Sequence, residues 1–298
     1  KGVNLYLKDG VAAFEGHDSI VSVRLSSGTL IDADLVILSI GVRPDTAFLK
    51  EAGIELAKNG AIKVDPYFTT NDKNIRAVGD AIEFTSPLTK LPITVPLAGP
   101  ANKQARLCAD AIVDGNKKPY EGTIATSIAK IFDMTVASTG LTEKSLKAAK
   151  LPYRCAVTHA GNHAGYYPNS LQLTLKVLYH PETGKVWGAQ GVGYDGVDKR
   201  IDVISAFIGK EGTVHDLAEF EQAYAPPFSS AKDPVNMVGF IAVNVLEGYS
   251  DTISWEEAEA ARKNGAFILD VRTEEEFELG AIEGAVNIPN TVLRESLS

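Results

Sequence analysis

Two short segments contain the residue types needed to hold a sugar-phosphate cofactor. In the first, Ile75-Arg76-Ala77-Val78-Gly79-Asp80, an apolar run ends in a glycine and an aspartate. Glycine lets a cofactor approach the backbone closely, and a carboxylate accepts hydrogen bonds from sugar hydroxyls. Ligands of open α/β sheets bind at the carboxyl ends of strands, where this pattern predicts Gly79 and Asp80. The alternative is an ordinary turn in which Asp80 caps a helix.

The second segment is Val95-Pro96-Leu97-Ala98-Gly99-Pro100, which leads into an Ala-rich run that predicts a helix. Its small residues leave the first backbone N–H groups of that helix uncovered, and such a terminus stabilises an anion. A reduced flavin carries negative charge at one ring edge. Asp80 on a ribityl chain and this helix start at the ring edge would therefore form one site. The alternative is an ordinary helix start with a proline near its first turn.

Neither cysteine has the surroundings of a nucleophile. Cys108 lies in the predicted Ala-rich helix and Cys155 in a predicted strand, so we interpret both as small core residues rather than reactive thiols. His159 and His163 are four residues apart, a spacing that joins metal ligands only on a helix. This stretch instead predicts a strand that runs into a loop. The sequence therefore predicts no catalytic thiol and no metal site.

Composition excludes several classes of protein. The 298 residues are 45% hydrophobic and carry a net charge of -9, which allows two or more domains but argues against nucleic-acid binding. No run approaches the roughly 18 apolar residues of a membrane span, and the N-terminus has neither an initiator Met nor a signal-peptide pattern. Two cysteines cannot form a disulfide framework, so we expect a cytoplasmic protein.

The first part of the chain has the pattern of an α/β unit. Residues 11–40 predict two or three strands, and the last of these, residues 35–38, is an apolar run typical of a buried strand. A short helix is predicted over residues 46–52. Further strands are predicted at residues 62–64 and 75–78.

The middle of the chain predicts a separate α+β unit. The Ala-rich helix covers residues 99–113, and residues 123–192 are mostly strands with a hairpin turn at 180–184. Residues 196–248 are mostly helical. Strands followed by helices are typical of the α+β class.

A composition change at residues 248–251 predicts a linker into a third unit. Ser254 is the predicted N-cap of an amphipathic helix, residues 267–270 predict a strand, and residues 274–279 predict a second helix. One strand and two helices are too few to bury a core, so this unit is predicted to be partial.

Five runs, taken in order, resemble the single-cysteine pyridine nucleotide-disulfide reductases. Within that superfamily, the chain most resembles the coenzyme A-disulfide reductases and their NADH oxidase and peroxidase relatives. The resemblance covers residues 1–247. The runs are Ile40-Gly41-Val42-Arg43-Pro44, Ala77-Val78-Gly79-Asp80, Pro96-Leu97-Ala98-Gly99-Pro100-Ala101-Asn102-Lys103-Gln104, Asp198-Lys199-Arg200-Ile201-Asp202 and Ala223-Tyr224-Ala225-Pro226-Pro227-Phe228-Ser229.

The end of the chain resembles the first half of a rhodanese domain. The matching residues are Leu269-Asp270-Val271-Arg272-Thr273-Glu274-Glu275-Glu276-Phe277 and Gly280-Ala281-Ile282-Glu283-Gly284-Ala285-Val286-Asn287-Ile288-Pro289. Together the two parts resemble coenzyme A-disulfide reductases that carry a C-terminal rhodanese domain, which are linked to reduction of persulfides and polysulfides.

The resemblance implies which residues bind the cofactor. Asp80, after Gly79, matches the aspartate on the FAD ribityl chain. Leu97 and Ala98, after Pro96, match the turn under the isoalloxazine ring.

The resemblance implies a role in sulfur chemistry for two tyrosines, Tyr166 and Tyr224. In the family the C-terminal domain reaches across a two-fold axis, so Tyr224 would contact the partner subunit's flavin and substrate pocket. Tyr166 would pair with it, and Tyr167 is the alternative to Tyr166. Two phenol O–H groups aimed at a sulfur could stabilise a departing thiolate or supply its proton. The competing interpretation is a pair of interface aromatics with satisfied hydroxyls.

Other matches imply contacts with the nicotinamide nucleotide and coenzyme A, and they imply that some functional residues of the family lie outside this chain. Gly41 matches the loop that closes the nicotinamide-nucleotide domain, and Asn102 and Lys232 match positions that contact coenzyme A. The family's nucleophilic cysteine and both glycine-rich dinucleotide loops are expected before Lys1. The rhodanese cysteine is expected after Ser298.

The predicted fold class is α/β and α+β, divided into four units. These are the C-terminal part of an NAD(P)H-binding domain at 1–50, the C-terminal segment of an FAD-binding domain at 51–120, an α+β dimerisation domain at 121–248, and a partial rhodanese-like α/β unit at 252–298.

The predicted function is FAD-dependent, NAD(P)H-using reduction of a coenzyme A disulfide or persulfide by a homodimer, through a cysteine outside this chain. This piece alone is expected to be inactive. An NADH oxidase or peroxidase on the same scaffold is one alternative, and a catalytically silent dimerisation module is another. No nucleic-acid or membrane partner is expected.

Overall fold

The computed structural model describes residues 2–297, so Lys1 and Ser298, the outer limits of the predicted first and last units, lie outside the described residues. Among the described residues, no helix combines the length and the apolar character needed to cross a membrane. The first element is an antiparallel three-stranded sheet of β1 (Val11–Glu15), β2 (Ser22–Leu25) and β3 (Leu30–Asp32). The tight turn between β2 and β3 contains Gly28 at a φ of 90°.

The predicted buried strand at residues 35–38 is wrong. These residues form no strand, and the side chains of Leu35 and Ile37 are 78% and 81% exposed. A strand is stabilised by hydrogen bonds to a neighbouring strand, and the described residues place none beside this run. The apolar character of the run therefore does not produce burial here.

The next unit has a short helix and a small mixed sheet. Helix α1 (Ala47–Glu51) has the predicted position, and strands β4 (Ile62–Lys63), β5 (Ile82–Thr85) and β6 (Pro92–Ile93) follow. Strand β5 is central, parallel to β4 and antiparallel to β6.

The predicted strand at residues 75–78 is also wrong, because this segment makes one isolated bridge, between Thr69 and Arg76. The strand that pairs with β4 is β5, which begins at Ile82, after a 3-10 turn over Gly79–Ala81. Gly79 and Asp80 therefore precede a strand and do not end one.

Helix α2 (Ala98–Val113) matches the predicted Ala-rich helix and covers this sheet. Its buried face includes Cys108, which packs with Phe68, Ile82 and Phe84. The interpretation of Cys108 as a small core residue is confirmed.

A five-stranded antiparallel sheet forms the centre of the molecule. Its strands are β7 (Ser127–Ile131), β8 (Met134–Gly140), β9 (Arg154–Gly161), β10 (Gln172–Tyr179) and β11 (Val186–Gly193). They lie in the order β7-β8-β11-β10-β9. The hairpin between β10 and β11 has its turn where the sequence predicts it. The helix α3 (Glu143–Ala149), between β8 and β9, was not predicted.

Three helices follow the sheet, as predicted: α4 (Val197–Gly209), α5 (Val214–Glu219) and α6 (Pro234–Leu246). Alternate residues of β10 are buried in the same core as one stripe of α4. The β10 residues are Leu173, Leu175, Val177 and Tyr179, and the α4 residues are Ile201, Ile204 and Ile208.

The C-terminal unit contains α7 (Trp255–Lys263), β12 (Leu269–Asp270), α8 (Glu274–Glu278) and β13 (Val286–Asn287). Ser254 caps α7 as predicted, since its side chain accepts the backbone N–H of Glu257. The predicted strand is shorter than expected. It has a parallel partner, β13, which the sequence interpretation did not include.

Candidate functional site

The turn that contains Asp80 is held against α2 by a buried glutamine. The Gly79 N–H donates to Oε1 of Gln104 at 2.7 Å, and Nε2 of Gln104 donates to the Tyr120 hydroxyl at 3.1 Å. Gly79 has a φ of 83°, in the left-handed region that favours glycine, and its side-chain position faces Ala101 of α2. The carboxylate of Asp80 is exposed beside this contact.

The first turn of α2 is open to a ligand. Its N-cap, Leu97, makes no side-chain capping bond, and the side-chain position of Gly99 has no heavy atom within 4 Å. Uncapped N–H groups at a helix start attract negative charge. Asn102 uses its side-chain amide within this turn, because Nδ2 donates to the Ala98 carbonyl at 2.9 Å.

These observations test whether the residues fit a flavin nucleotide. The exposed Asp80 carboxylate can accept hydrogen bonds from a sugar-alcohol chain, and the uncapped turn beside it can hold an anionic ring edge. Gly79, packed on α2, joins the two features within one small region. The geometry therefore fits the cofactor.

The structure also brings together Tyr166 and Tyr224, whose hydroxyl oxygens are 3.1 Å apart. Tyr166 lies in the loop between β9 and β10, and Tyr224 lies between α5 and α6. The side chains are 78% and 47% exposed, so the pair faces open space. The hydrogen bond with Tyr166 raises the pKa of the Tyr224 hydroxyl, and burial adds to the effect.

Tyr167, the alternative to Tyr166, points elsewhere. Its ring packs edge-on against the buried His163, with ring centroids 5.7 Å apart. His163 bonds through Nδ1 to the Ala164 carbonyl at 3.1 Å. The hydroxyl that meets Tyr224 is the one on Tyr166.

A buried ion pair contacts both loops that contain the tyrosines, and no role for it was predicted from the sequence. Arg200 and Asp233 form an ion pair at 2.6 Å and are 2% and 0% exposed. Ser229 also bonds to Asp233, at 2.6 Å. One signal was available, because Arg200 falls on the apolar stripe of α4 between Val197 and Ile204, where a charge needs a buried partner.

The remaining residues of interest are Gly41, Lys232 and Cys155. Gly41, at a φ of 90°, is in an exposed segment, and its side-chain position has no neighbour within 4 Å. Lys232 is exposed next to the buried Asp233. Cys155 lies in β9, where burial raises the pKa of its thiol and disfavours the reactive thiolate.

Within the described residues, no hydrogen bond joins the Asp80 turn to the tyrosine pair. Each group is positioned by its own neighbours. The Asp80 turn is held by a hydrogen bond to α2. Tyr166 lies on the β9–β10 loop, and Tyr224 lies on the α5–α6 loop.

Three parts of the chain match models of known protein families. The family model described as pyridine nucleotide-disulphide oxidoreductase matches residues 1–105, and the model of that family's dimerisation domain matches residues 126–234. The chain belongs to the pyridine nucleotide-disulphide oxidoreductase family. A rhodanese-like domain model matches residues 254–297. The predicted family and fold class are confirmed.

Three similar proteins illustrate the match. The coenzyme A disulfide reductase of Staphylococcus haemolyticus is 38% identical over 231 residues, which make up 76% of this chain and 52% of that protein. The crystal structure of reduced Bacillus anthracis CoADR-RHD has 47% identity and a TM-score of 0.93, covering 97% of this chain and 52% of that one.

The third is a NAD-dependent persulfide reductase from A. fulgidus, with 36% identity and a TM-score of 0.88. The match covers 97% of this chain and 52% of that one. The chain therefore spans about half the length of each of these oxidoreductases.

Proposed function

We propose that this chain is part of an FAD-dependent NAD(P)H oxidoreductase that reduces coenzyme A disulfide or coenzyme A persulfide. The enzyme works as a cytoplasmic homodimer and uses the thiolate of a cysteine outside residues 1–298. One observation carries the flavin assignment: the Asp80 turn lies against the uncapped start of α2. The similarity to a coenzyme A disulfide reductase and a persulfide reductase supports the sulfur substrate.

The chain's own residues hold the cofactor in this proposal. Asp80 accepts hydrogen bonds from the ribityl hydroxyls, and Gly79 allows their close approach. Leu97 and Ala98, after Pro96, place the first N–H groups of α2 at the ring edge, where negative charge develops. When bound, FAD would supply two-electron redox chemistry between a nicotinamide and a sulfur–sulfur bond. Gly41 belongs to the loop near the nicotinamide nucleotide.

In the overall reaction, NAD(P)H and one proton reduce the sulfur–sulfur bond of coenzyme A disulfide to two thiols. Bond cleavage releases a thiolate, and a hydrogen-bond donor stabilises the negative charge that develops on the departing sulfur. The Tyr166 and Tyr224 hydroxyls supply that donor and hold no competing nucleophile. With a persulfide, the same reaction gives one coenzyme A thiol and hydrogen sulfide.

Other residues of the chain contact the substrate or the partner subunit. Asn102 and Lys232 bind coenzyme A. Tyr224 reaches the flavin of the partner subunit, since the residues that carry it match the family's dimerisation domain. The free thiols of Cys108 and Cys155 are compatible with a reducing cytoplasm.

The flavin assignment is tested by Asp80→Ala in the full-length protein. Loss of the carboxylate removes the acceptor for the ribityl hydroxyls, so we expect FAD content after gel filtration to fall at least tenfold. Asp110→Ala is the control, because Asp110 is an exposed carboxylate on α2. Normal flavin occupancy in the Asp80 variant would contradict the assignment.

The substrate assignment is tested with the same holoenzyme. NADH consumption is measured with coenzyme A disulfide, with coenzyme A persulfide and with oxygen as the acceptor. We expect the sulfur acceptors to be faster, and Tyr166→Phe to slow only those reactions. Faster turnover with oxygen would support an NADH oxidase instead.

A further inference from the structure

Tyr166 and Tyr224 lie on two loops that are far apart in the sequence and connect different secondary-structure elements. The first loop, residues 162–171, connects β9 to β10, and the second, residues 220–233, connects α5 to α6. Both hydroxyls are exposed, and one hydrogen bond between exposed groups contributes little stability. Their 3.1 Å separation therefore needs support from beneath the surface.

Arg200 supplies this support to the first loop. From α4, its Nη2 donates to the carbonyl of Asn162 at 2.7 Å, and its Nη1 donates to the carbonyl of Gly196 at 3.0 Å. Asn162 closes the loop, because its backbone and side chain both bond to Leu171. The guanidinium thus fixes the start of the loop, and Asn162 ties the end of the loop to its start.

Asp233 supplies the support to the second loop. Its carboxylate accepts Nε and Nη2 of Arg200, and it also accepts the Ser229 hydroxyl at 2.6 Å. Oδ1 caps α6 by accepting the backbone N–H of Val235 at 3.0 Å. The loop that contains Tyr224 therefore ends on the same carboxylate that holds Arg200.

The two loops also contact each other directly above the ion pair. The Ala164 N–H donates to the carbonyl of Ser229 at 2.9 Å, two residues before Tyr166 and five after Tyr224. This hydrogen bond joins the two loops. Arg200 contacts the loop of Ala164, and Asp233 contacts Ser229, so the ion pair orients both the donor and the acceptor side.

We propose that the buried Arg200–Asp233 ion pair positions the Tyr166 and Tyr224 hydroxyls relative to each other and thereby sets the rate at which substrate sulfur is reduced. The inference rests on the proposed function of the tyrosines. Neither Arg200 nor Asp233 touches substrate, so both are positioning residues. Their charges are matched internally.

A buried ion pair is weak evidence for a role in stability alone, because matched apolar residues often replace such pairs without loss. Here every polar contact of Arg200 outside the ion pair goes to a backbone carbonyl, and one of these begins the Tyr166 loop. The specific geometry of a guanidinium fork explains why this position has arginine.

The test uses the double variant Arg200→Met/Asp233→Asn in the holoenzyme. Both charges are removed together, so neither remains buried without a partner, and asparagine still caps α6. Flavin reduction by NADH should keep its rate, and flavin reoxidation by coenzyme A disulfide should slow at least tenfold, since small displacements of a reacting group have large effects on rate.

The matched control is Lys176→Met/Glu143→Gln, which removes a half-buried ion pair between β10 and α3 without touching either loop. Both half-reactions should keep their rates in this control. Thermal unfolding of both double variants checks that each one keeps its fold.

Adding Tyr166→Phe to both backgrounds separates positioning from structure. In the wild-type background this change should slow reoxidation, and in the Arg200→Met/Asp233→Asn background it should have little further effect. Effects that simply multiply, or unchanged reoxidation in the double variant, would overturn the positioning role and leave the proposed function intact.

Amide hydrogen exchange gives a readout that is independent of catalysis. The Ala164 and Leu171 N–H groups should exchange at least tenfold faster in the double variant, while those of β10 stay protected. Unchanged exchange would overturn the inference. Faster exchange together with no effect of Tyr166→Phe on the wild-type rate would reject the proposed tyrosine role, and with it the link from the ion pair to the rate.

Discussion

Each tyrosine hydroxyl has one proton, which limits what the Tyr166–Tyr224 pair can do. With oxygens 3.1 Å apart, one hydroxyl donates and the other accepts. The accepting hydroxyl keeps its own proton, and this proton is free to point at a third atom. Hydrogen bonds in a chain polarise one another, so the free O–H becomes a better donor. The pair thus offers one strengthened outward donor and not two independent ones.

We expect Tyr166→Phe to lower the pKa of Tyr224 towards its usual value of about 10. The hydrogen bond with Tyr166 is the largest cause that raises this pKa, and the variant removes it. Between the usual and the raised value, the variant therefore has more phenolate than the wild type. Near-ultraviolet absorbance titration measures the difference, and Tyr249→Phe is the control. An unshifted transition would count against the hydrogen bond.

Gly196 lies beside the ion pair and leaves no space for a larger residue. Gly196 has a φ of 71°, and a Cβ there would overlap Nη1 of Arg200. Gly196→Ala should destabilise the protein by more than about 1 kcal/mol and displace the guanidinium. Gly53→Ala is the matched control, since Gly53 has a φ of 74° and open space around it. Equal losses in urea unfolding would show that the contact with Arg200 adds nothing.

Among the elements, α2 is the one that the sequence predicts best, because its alanines, its small-residue start and its polar end all favour the same helix. The prediction of a strand at 75–78 is wrong because the spacing of apolar residues does not show which strands will pair. The strand that pairs with β4 is β5. The same limit applies to Gln104. Its burial depends on the Gly79 turn, a contact 25 residues away in sequence.

We expect Gln104→Leu to destabilise the unit around α2 by about 1–3 kcal/mol, because the Gly79 N–H loses its acceptor in a buried place. The turn should then hold Asp80 less firmly, so FAD should also bind less tightly. Chemical denaturation and flavin titration measure the two effects. Arg106→Leu, on the exposed side of α2, should change neither.

The tyrosine pair could be predicted only through the resemblance to a family, since 58 residues separate its members. The positions of Asn162, Ser229 and Asp233 could not be derived from periodicity. All three belong to loops or caps, and their neighbours are set by how β9, α4 and α6 pack.

At the scale of the whole molecule, the described residues bury one large core and leave another apolar segment uncovered. The large core lies between the five-stranded sheet and α4 to α6. The run at residues 35–38 is exposed although its composition is typical of a strand buried on both faces. Exposed apolar segments of this kind promote association.

We expect the chain of 298 residues to self-associate through this run when it is prepared alone. Ile37→Asp should reduce the self-association seen by light scattering, because it places a charge in an 81% exposed apolar segment. Asp34→Asn, three residues away, serves as the control. Unchanged scattering in the Ile37 variant would assign the association to another surface.

The separation of the Asp80 turn from the tyrosine pair has a genetic consequence in the proposed dimer. Each reaction centre would take its carboxylate from one subunit and its phenols from the other. When a chain with Asp80→Ala assembles with a chain with Tyr224→Phe, one centre receives both defects and the other receives none. Two inactive alleles would then restore activity when they are expressed in the same cell.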